Sequence, residues 1–109
     1  MEKVIYSEKE QQALDLLGTL FSENGKTAGL GELLEHAFFI RKKEEQWEVA
    51  YRYGGFTFQS HRYARMEDAA ADLVAILFIG DPHRREYEIK IEEGIRALEI
   101  PSCETVTAQ

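Results

Sequence analysis

A chain of 109 residues, 44% of them apolar, has the size and composition of one globular domain with one modest core, which argues against a two-domain arrangement. No apolar run nears the roughly 18 residues of a membrane span, and the opening Met-Glu-Lys-Val-Ile-Tyr-Ser-Glu-Lys-Glu lacks the basic-then-apolar order of a secretion signal, so a cytoplasmic protein is expected. The net charge of −7 is uneven, acids leading bases 7 to 3 over residues 1–35 and 10 to 4 over 66–109 while bases lead 6 to 3 over 36–65; such acidity disfavours broad phosphate-backbone binding and suits either charge-steered docking onto a basic protein or plain solubility.

Ser7-Glu8-Lys9-Glu10 is a capping-box pattern, and Ala13, Leu14, Leu17, Leu20 and Phe21 follow at helical spacing, so a first helix is expected from about Ser7 to Asn24. Asn24-Gly25 is a natural stop. Gly29-Leu30-Gly31 reads as punctuation and Glu32 to His36 as a single helical turn. From Ala37 the period changes to that of strands. Phe38 to Lys43 reads as a strand turning at Glu44-Glu45-Gln46, after which Trp47, Val49, Tyr51 and Tyr53 alternate with Glu48, Ala50 and Arg52. Gly54-Gly55 makes a short reversal into Phe56 to His61, giving a three-stranded antiparallel meander.

Met66 to Ile79 has acids in its first turn and Gly80 at its end, a second long helix with Ala70, Leu73, Val74 and Leu77 as its buried stripe. Asp81-Pro82 then looks like a cap with proline at the first helical position, and Tyr87, Ile91, Ile95 and Leu98 share a face, so a last helix is expected over about Pro82 to Leu98. The competing reading is a hairpin, Tyr87 to Ile91 against Ile95 to Ile100 through Glu93-Gly94. The expected architecture is α+β: an N-terminal helix, the meander, then two helices, packed on one sheet face. Residues 101–109 are expected to form a loose tail containing the single cysteine, Cys103, which has no partner for an internal disulfide.

Trp47 to Ala64 holds six of the twelve aromatic residues. Most of these rings are expected in the core, since a small domain needs the apolar surface they bury. Tyr53, Phe56, Phe58 and Tyr63, near strand ends, are candidates for a contact patch.

The chemistry-bearing residues form no recognisable set. His36, His61 and His83 lack metal-ligand spacing, neither GxGxxG nor GxxxxGK[ST] occurs, and Glu44-Glu45 and Glu92-Glu93 read as solvated pairs rather than acid–base dyads. An enzyme, a metal and a cofactor are therefore not expected. Arg41, Lys42, Lys43, Arg52, His61, Arg62 and Arg65 beside an aromatic-rich sheet suggest a nucleic-acid binder as the alternative, although no RNP-like motif is present. A homo-oligomeric regulatory module, pairing through an open sheet face or an edge strand, is a third reading.

The run Trp47-Glu48-Val49-Ala50-Tyr51-Arg52-Tyr53, the Gly54-Gly55 reversal and the helix start Met66-Glu67-Asp68-Ala69-Ala70-Ala71-Asp72-Leu73 resemble the small bacterial immunity proteins of polymorphic-toxin systems, over about residues 38–77. Those families commonly show a W-x-V strand, an R-G turn and an E-x-E-A helix start; here Gly-Gly stands for Arg-Gly. The resemblance implies a cytoplasmic, non-catalytic partner that binds and occludes a cognate toxin domain, as a monomer or weak homodimer. Under that reading the candidate contacts are Glu88, Glu92 and Glu93 in the last element, Glu44 and Glu45 at the first hairpin, and Tyr87 as an edge anchor.

Overall fold

The structure, a computed structural model, describes residues 4–102; Cys103 and most of the expected tail lie outside them. The chain runs through α1 (Glu8–Glu23), β1 (Gly29–Leu30), β2 (Ala37–Lys43), β3 (Gln46–Tyr53), β4 (Phe56–Tyr63), α2 (Met66–Leu77) and α3 (Arg84–Arg96). It is an α+β fold of three helices and a four-stranded mixed sheet, and no helix among the described residues is long and apolar enough to cross a membrane.

The capping box forms as its spacing requires: Ser7 Oγ accepts from the Glu10 N–H at 3.1 Å and Glu10 Oε1 accepts from the Ser7 N–H at 2.9 Å, satisfying donors that would otherwise be orphaned, at about 1 kcal/mol. The α1 stripe Ala13, Leu14, Leu17, Leu20 and Phe21 is buried. At the other end Asn24 Nδ2 donates to the Leu20 carbonyl at 2.8 Å.

The sheet order is β1-β2-β3-β4, with β1 parallel to β2 and the other pairs antiparallel. This corrects two expectations. Gly29-Leu30 is a strand rather than punctuation, and Glu32 to His36 is irregular, with a turn only at Glu35-His36, rather than a helical turn. The reason is a close backbone approach: a Cβ on Gly29 would meet the Glu32 carbonyl oxygen at 2.3 Å and the Phe39 Cβ at 2.9 Å, so only glycine fits here. The segment after it crosses the sheet end, where Glu35 accepts from the Gly55 N–H at 2.9 Å and the His36 N–H donates to the Arg52 carbonyl at 2.7 Å.

The meander matches expectation, with β4 two residues longer than foreseen. Its register sorts side chains cleanly. Ile40, Lys42, Trp47, Val49, Tyr51, Tyr53 and Tyr63 share one face with the helices; Phe39, Arg41, Glu48, Ala50, Arg52 and Arg62 point the other way. α2 lies across β2, β3 and β4, burying Ala70, Leu73 and Val74 as expected, with Leu77 partly buried. The last element is a helix, and the hairpin alternative is set aside: Ile91 and Ile95 enter the common core, and α3 packs chiefly on α2 and α1. It starts at Arg84 because Asp81 Oδ1 first accepts from the His83 N–H at 2.8 Å, leaving Pro82 in the preceding turn.

Candidate binding surfaces

The helix layer does not reach the end of the sheet. Phe38, Tyr51, Tyr53 and Phe58, with Gln59, line an open recess of about 500 Å³ on the helix-facing side. Phe38 and Tyr51, cross-strand partners, set their rings 4.9 Å apart at 59°. Tyr53, Phe56 and Phe58 are 56%, 70% and 47% exposed, which makes three rings of the aromatic run a surface feature, whereas Trp47 is wholly buried and Tyr63 is half-buried.

A β-bulge makes this patch. Val49 pairs with His61 and Tyr51 with Phe58, so Gln59 and Ser60 together oppose Ala50, and Gln59 takes a left-handed φ of 57°. Without that extra residue a period-2 strand would carry Phe58 to the face opposite His61. With it, Phe56, Phe58, His61 and Tyr63 all lie on the helix side.

The opposite face sets a buried carboxylate cluster beside the buried cross-strand pair Phe39 and Ala50. Glu48, 1% exposed, accepts from Arg41 Nε at 3.0 Å and from Ser60 Oγ at 2.6 Å, and Arg62 Nη2 stands 3.9 Å away. Burial acts to raise its pKa, but the hydrogen bonds from Ser60 and Arg41 and the charges of Arg41 and Lys43 outweigh that and hold the carboxyl below its ordinary value. Arg52 reaches Glu35 Oε2 at 3.4 Å, and Arg62 reaches Glu44 Oε1 at 3.1 Å. Arg41, Arg52 and Arg62 are thus committed to carboxylates on the face away from the exposed rings, while Lys42 and His61, on the ring face, pair with Glu10 and Asp72.

The six residues singled out in sequence lie in two places. Glu44 and Glu45 form the β2–β3 turn, both left-handed at φ 53° and 63°, and Glu45 borders a cavity shared with Ile5, Tyr6 and Pro101. Tyr87, Glu88, Glu92 and Glu93 ride on α3. Tyr87 is tied to the core edge, its ring 4.7 Å from that of Phe78, and so is less free to serve as an anchor than the recess rings. Glu88 is folded onto its own helix by Arg84 at 3.3 Å and Arg85 at 2.9 Å, and Glu92 faces Arg96 at 3.9 Å; Glu93 is exposed.

One further cluster joins α2 to β4. Asp72 Oδ2 accepts from Tyr63 Oη at 2.8 Å and lies 2.9 Å from His61 Nδ1. Burial, then the hydrogen bond and charge of Asp72, push the Tyr63 phenol up to about 12. An Asp–His pair orients an imidazole, but nucleophilic catalysis needs a hydroxyl or thiol beside it, and none hydrogen-bonds His61 among the described residues. No group of three or more His, Cys, Asp or Glu among the described residues could hold a metal. Compared with protein-family models, with curated proteins and with solved structures, the chain matches none.

Proposed function

We propose that this chain is a non-catalytic cytoplasmic binding protein that occludes a cognate toxin domain of a bacterial polymorphic-toxin system. The observation that carries the binding part is the uncovered aromatic end of the sheet. Tyr53, Phe56 and Phe58 expose rings side by side, with Tyr51 half-buried beside them, in a domain whose other aromatic side chains lie in or against the core. Exposed adjacent rings of this kind are the usual centre of a protein interface. The immunity part comes from the sequence resemblance, with the net charge of −7 supporting attraction to a basic partner.

A nucleic-acid role is less well served by the same geometry. Stacking platforms work when basic side chains and exposed rings share a surface, and here Arg41, Arg52 and Arg62 stand on one face while Tyr51, Tyr53 and Phe58 stand on the other. The homodimer reading has one observation in its favour: β4 is an eight-residue edge strand, largely exposed. Light scattering at rising concentration separates it from a monomeric inhibitor.

The direct test is co-expression with the C-terminal domain of the large protein encoded immediately upstream, with host survival and co-purification as readouts. Rescue with a stable complex is expected. Toxicity without rescue or complex overturns the pairing.

A further inference from the structure

We propose that the aromatic recess at the open end of the sheet is a box for one cationic side-chain head, an arginine or lysine projecting from a basic partner protein. The proposal rests on the binding role above and names the chemistry of its contact point.

Four rings, Phe38, Tyr51, Tyr53 and Phe58, line a cavity of about 500 Å³, roomy for one side-chain head. Phe38 and Tyr51 touch one another at 59° with centroids 4.9 Å apart, so they present adjoining, non-parallel ring surfaces to the recess rather than a slot between them. Ring faces carry the negative part of the aromatic quadrupole, and several around one cavity attract a cation more than they attract a neutral group of the same shape.

The fold itself shows the preference. Lys26 stands 5.2 Å from the Phe78 centroid, Arg41 5.4 Å from that of Phe39 and Lys42 5.6 Å from that of Trp47, and none of those rings lines the recess. The sheet arginines Arg41, Arg52 and Arg62 are directed to the other face by register and engaged there by Glu48, Glu35 and Glu44. That arrangement keeps these three arginines away from the rings, while on the ring face Lys42 is drawn to Glu10 at 2.6 Å, His61 to Asp72 at 2.9 Å, and the His36 ring lies 5.1 Å from that of Tyr53. Net charge adds long-range attraction for a basic segment.

The backbone at the rim belongs to the same bulge that forms the patch. Gln59 holds a left-handed φ of 57° where the bulge turns Phe58 into the recess, and Gln59 itself lines it. Non-glycine residues in that region are sustained by surrounding structure and concentrate at functional sites. Its amide oxygen is an acceptor suited to an ammonium or guanidinium N–H.

The test uses the full chain without any partner, so its result does not depend on finding a toxin. Aromatic ring signals are followed by NMR during titration with choline and, separately, with 3,3-dimethyl-1-butanol, which has the same shape and no charge. Choline is expected to shift the Tyr51, Tyr53 and Phe58 signals saturably, with the alcohol at least about tenfold weaker. Tyr53→Leu and Phe58→Leu, which keep apolar bulk and lose the ring, should each weaken choline about threefold to tenfold, with Trp47 signals unchanged as the check on folding. Equal responses to the two probes would show a plain apolar site and overturn the proposal, as would the absence of a saturable choline shift or undiminished binding in both variants. A failed toxin rescue would leave the titration standing, and a failed titration would leave the rescue standing.

Discussion

Ser60 donates its hydroxyl hydrogen to Glu48 Oε2 at 2.6 Å across the β-bulge, and the other carboxylate oxygen accepts from Arg41 Nε at 3.0 Å. One buried acid on β3 therefore ties β2 and β4 together on the face that the helices leave open. Truncating it strands Arg41 and Ser60, so Glu48→Ala is expected to cost about 2–3 kcal/mol, toward the low end for a buried pair because Arg41 is partly solvated. The denaturant midpoint checks this.

The same carboxyl sets an acid limb of stability. Its folded pKa lies below the ordinary value of 4.5. The contribution is thus fully present above that value and is lost as pH falls through the folded pKa, because the unfolded state takes up the proton first. Glu48→Gln should flatten the fall in unfolding free energy below about pH 4.5. An unchanged slope would move the linkage to other carboxylates.

An alkaline limb is expected from Tyr63. With the phenol pushed up to about 12 against an ordinary 10.0, the folded state holds its proton more tightly than the unfolded state does. The stabilisation is complete below pH 10.0 and disappears as pH rises toward about 12. Tyr63→Phe removes the titrating group, so stability measured by urea unfolding between those pH values should fall less steeply in the variant.

The β2–β3 turn stores strain. Glu44 and Glu45 both occupy left-handed backbone, at φ 53° and 63°, which two-residue hairpin turns normally give to Asn-Gly. The double change Glu44→Asn, Glu45→Gly should stabilise by about 1–2 kcal/mol, read as a rise in melting temperature. Reduced partner affinity together with higher stability would assign the two acids a binding role.

Surface and charge make separable contributions to association. Phe56, 70% exposed, should tolerate Phe56→Ser within about 0.5 kcal/mol of stability while partner dissociation quickens. Glu93 is the acid of its group without an arginine folded onto it, so Glu93→Lys should slow association at low salt more than Glu88→Lys, whose carboxylate is already engaged by Arg84 and Arg85. Stopped-flow mixing at two ionic strengths distinguishes them.

Local signals sufficed wherever an element satisfies itself or repeats its own period. The capping box of Ser7 and Glu10, the α1 stripe, the alternation from Trp47 to Tyr53 and the Ala-rich face of α2 are all written within one turn or one pleat of their residues, and each appears where its spacing puts it. β1 is different. Two residues carry no period, and Gly29 pairs with Phe39 only once β2 exists to receive it. The segment from Arg84 to Arg96 is compatible with either alternation or a helical stripe, and burial of Ile91 and Ile95 against α1 and α2 decides for the helix.

The candidate site shows the same division. That aromatic residues crowd the second and third strands of the meander, that the middle of the chain is basic and its flanks acidic, and that no nucleophile or metal motif is present are properties of composition and order, settled before folding. Which rings stay in water was decided by tertiary structure. The bulge at Gln59 and Ser60 shifts the register by one residue, putting Phe58 beside Tyr51 on the face opposite the one that regular β2–β3 pairing gives to Arg41 and Arg52. Side-chain direction in a strand has period two, so a single inserted residue reverses every assignment beyond it, and that insertion is visible only in the pairing of one strand with another.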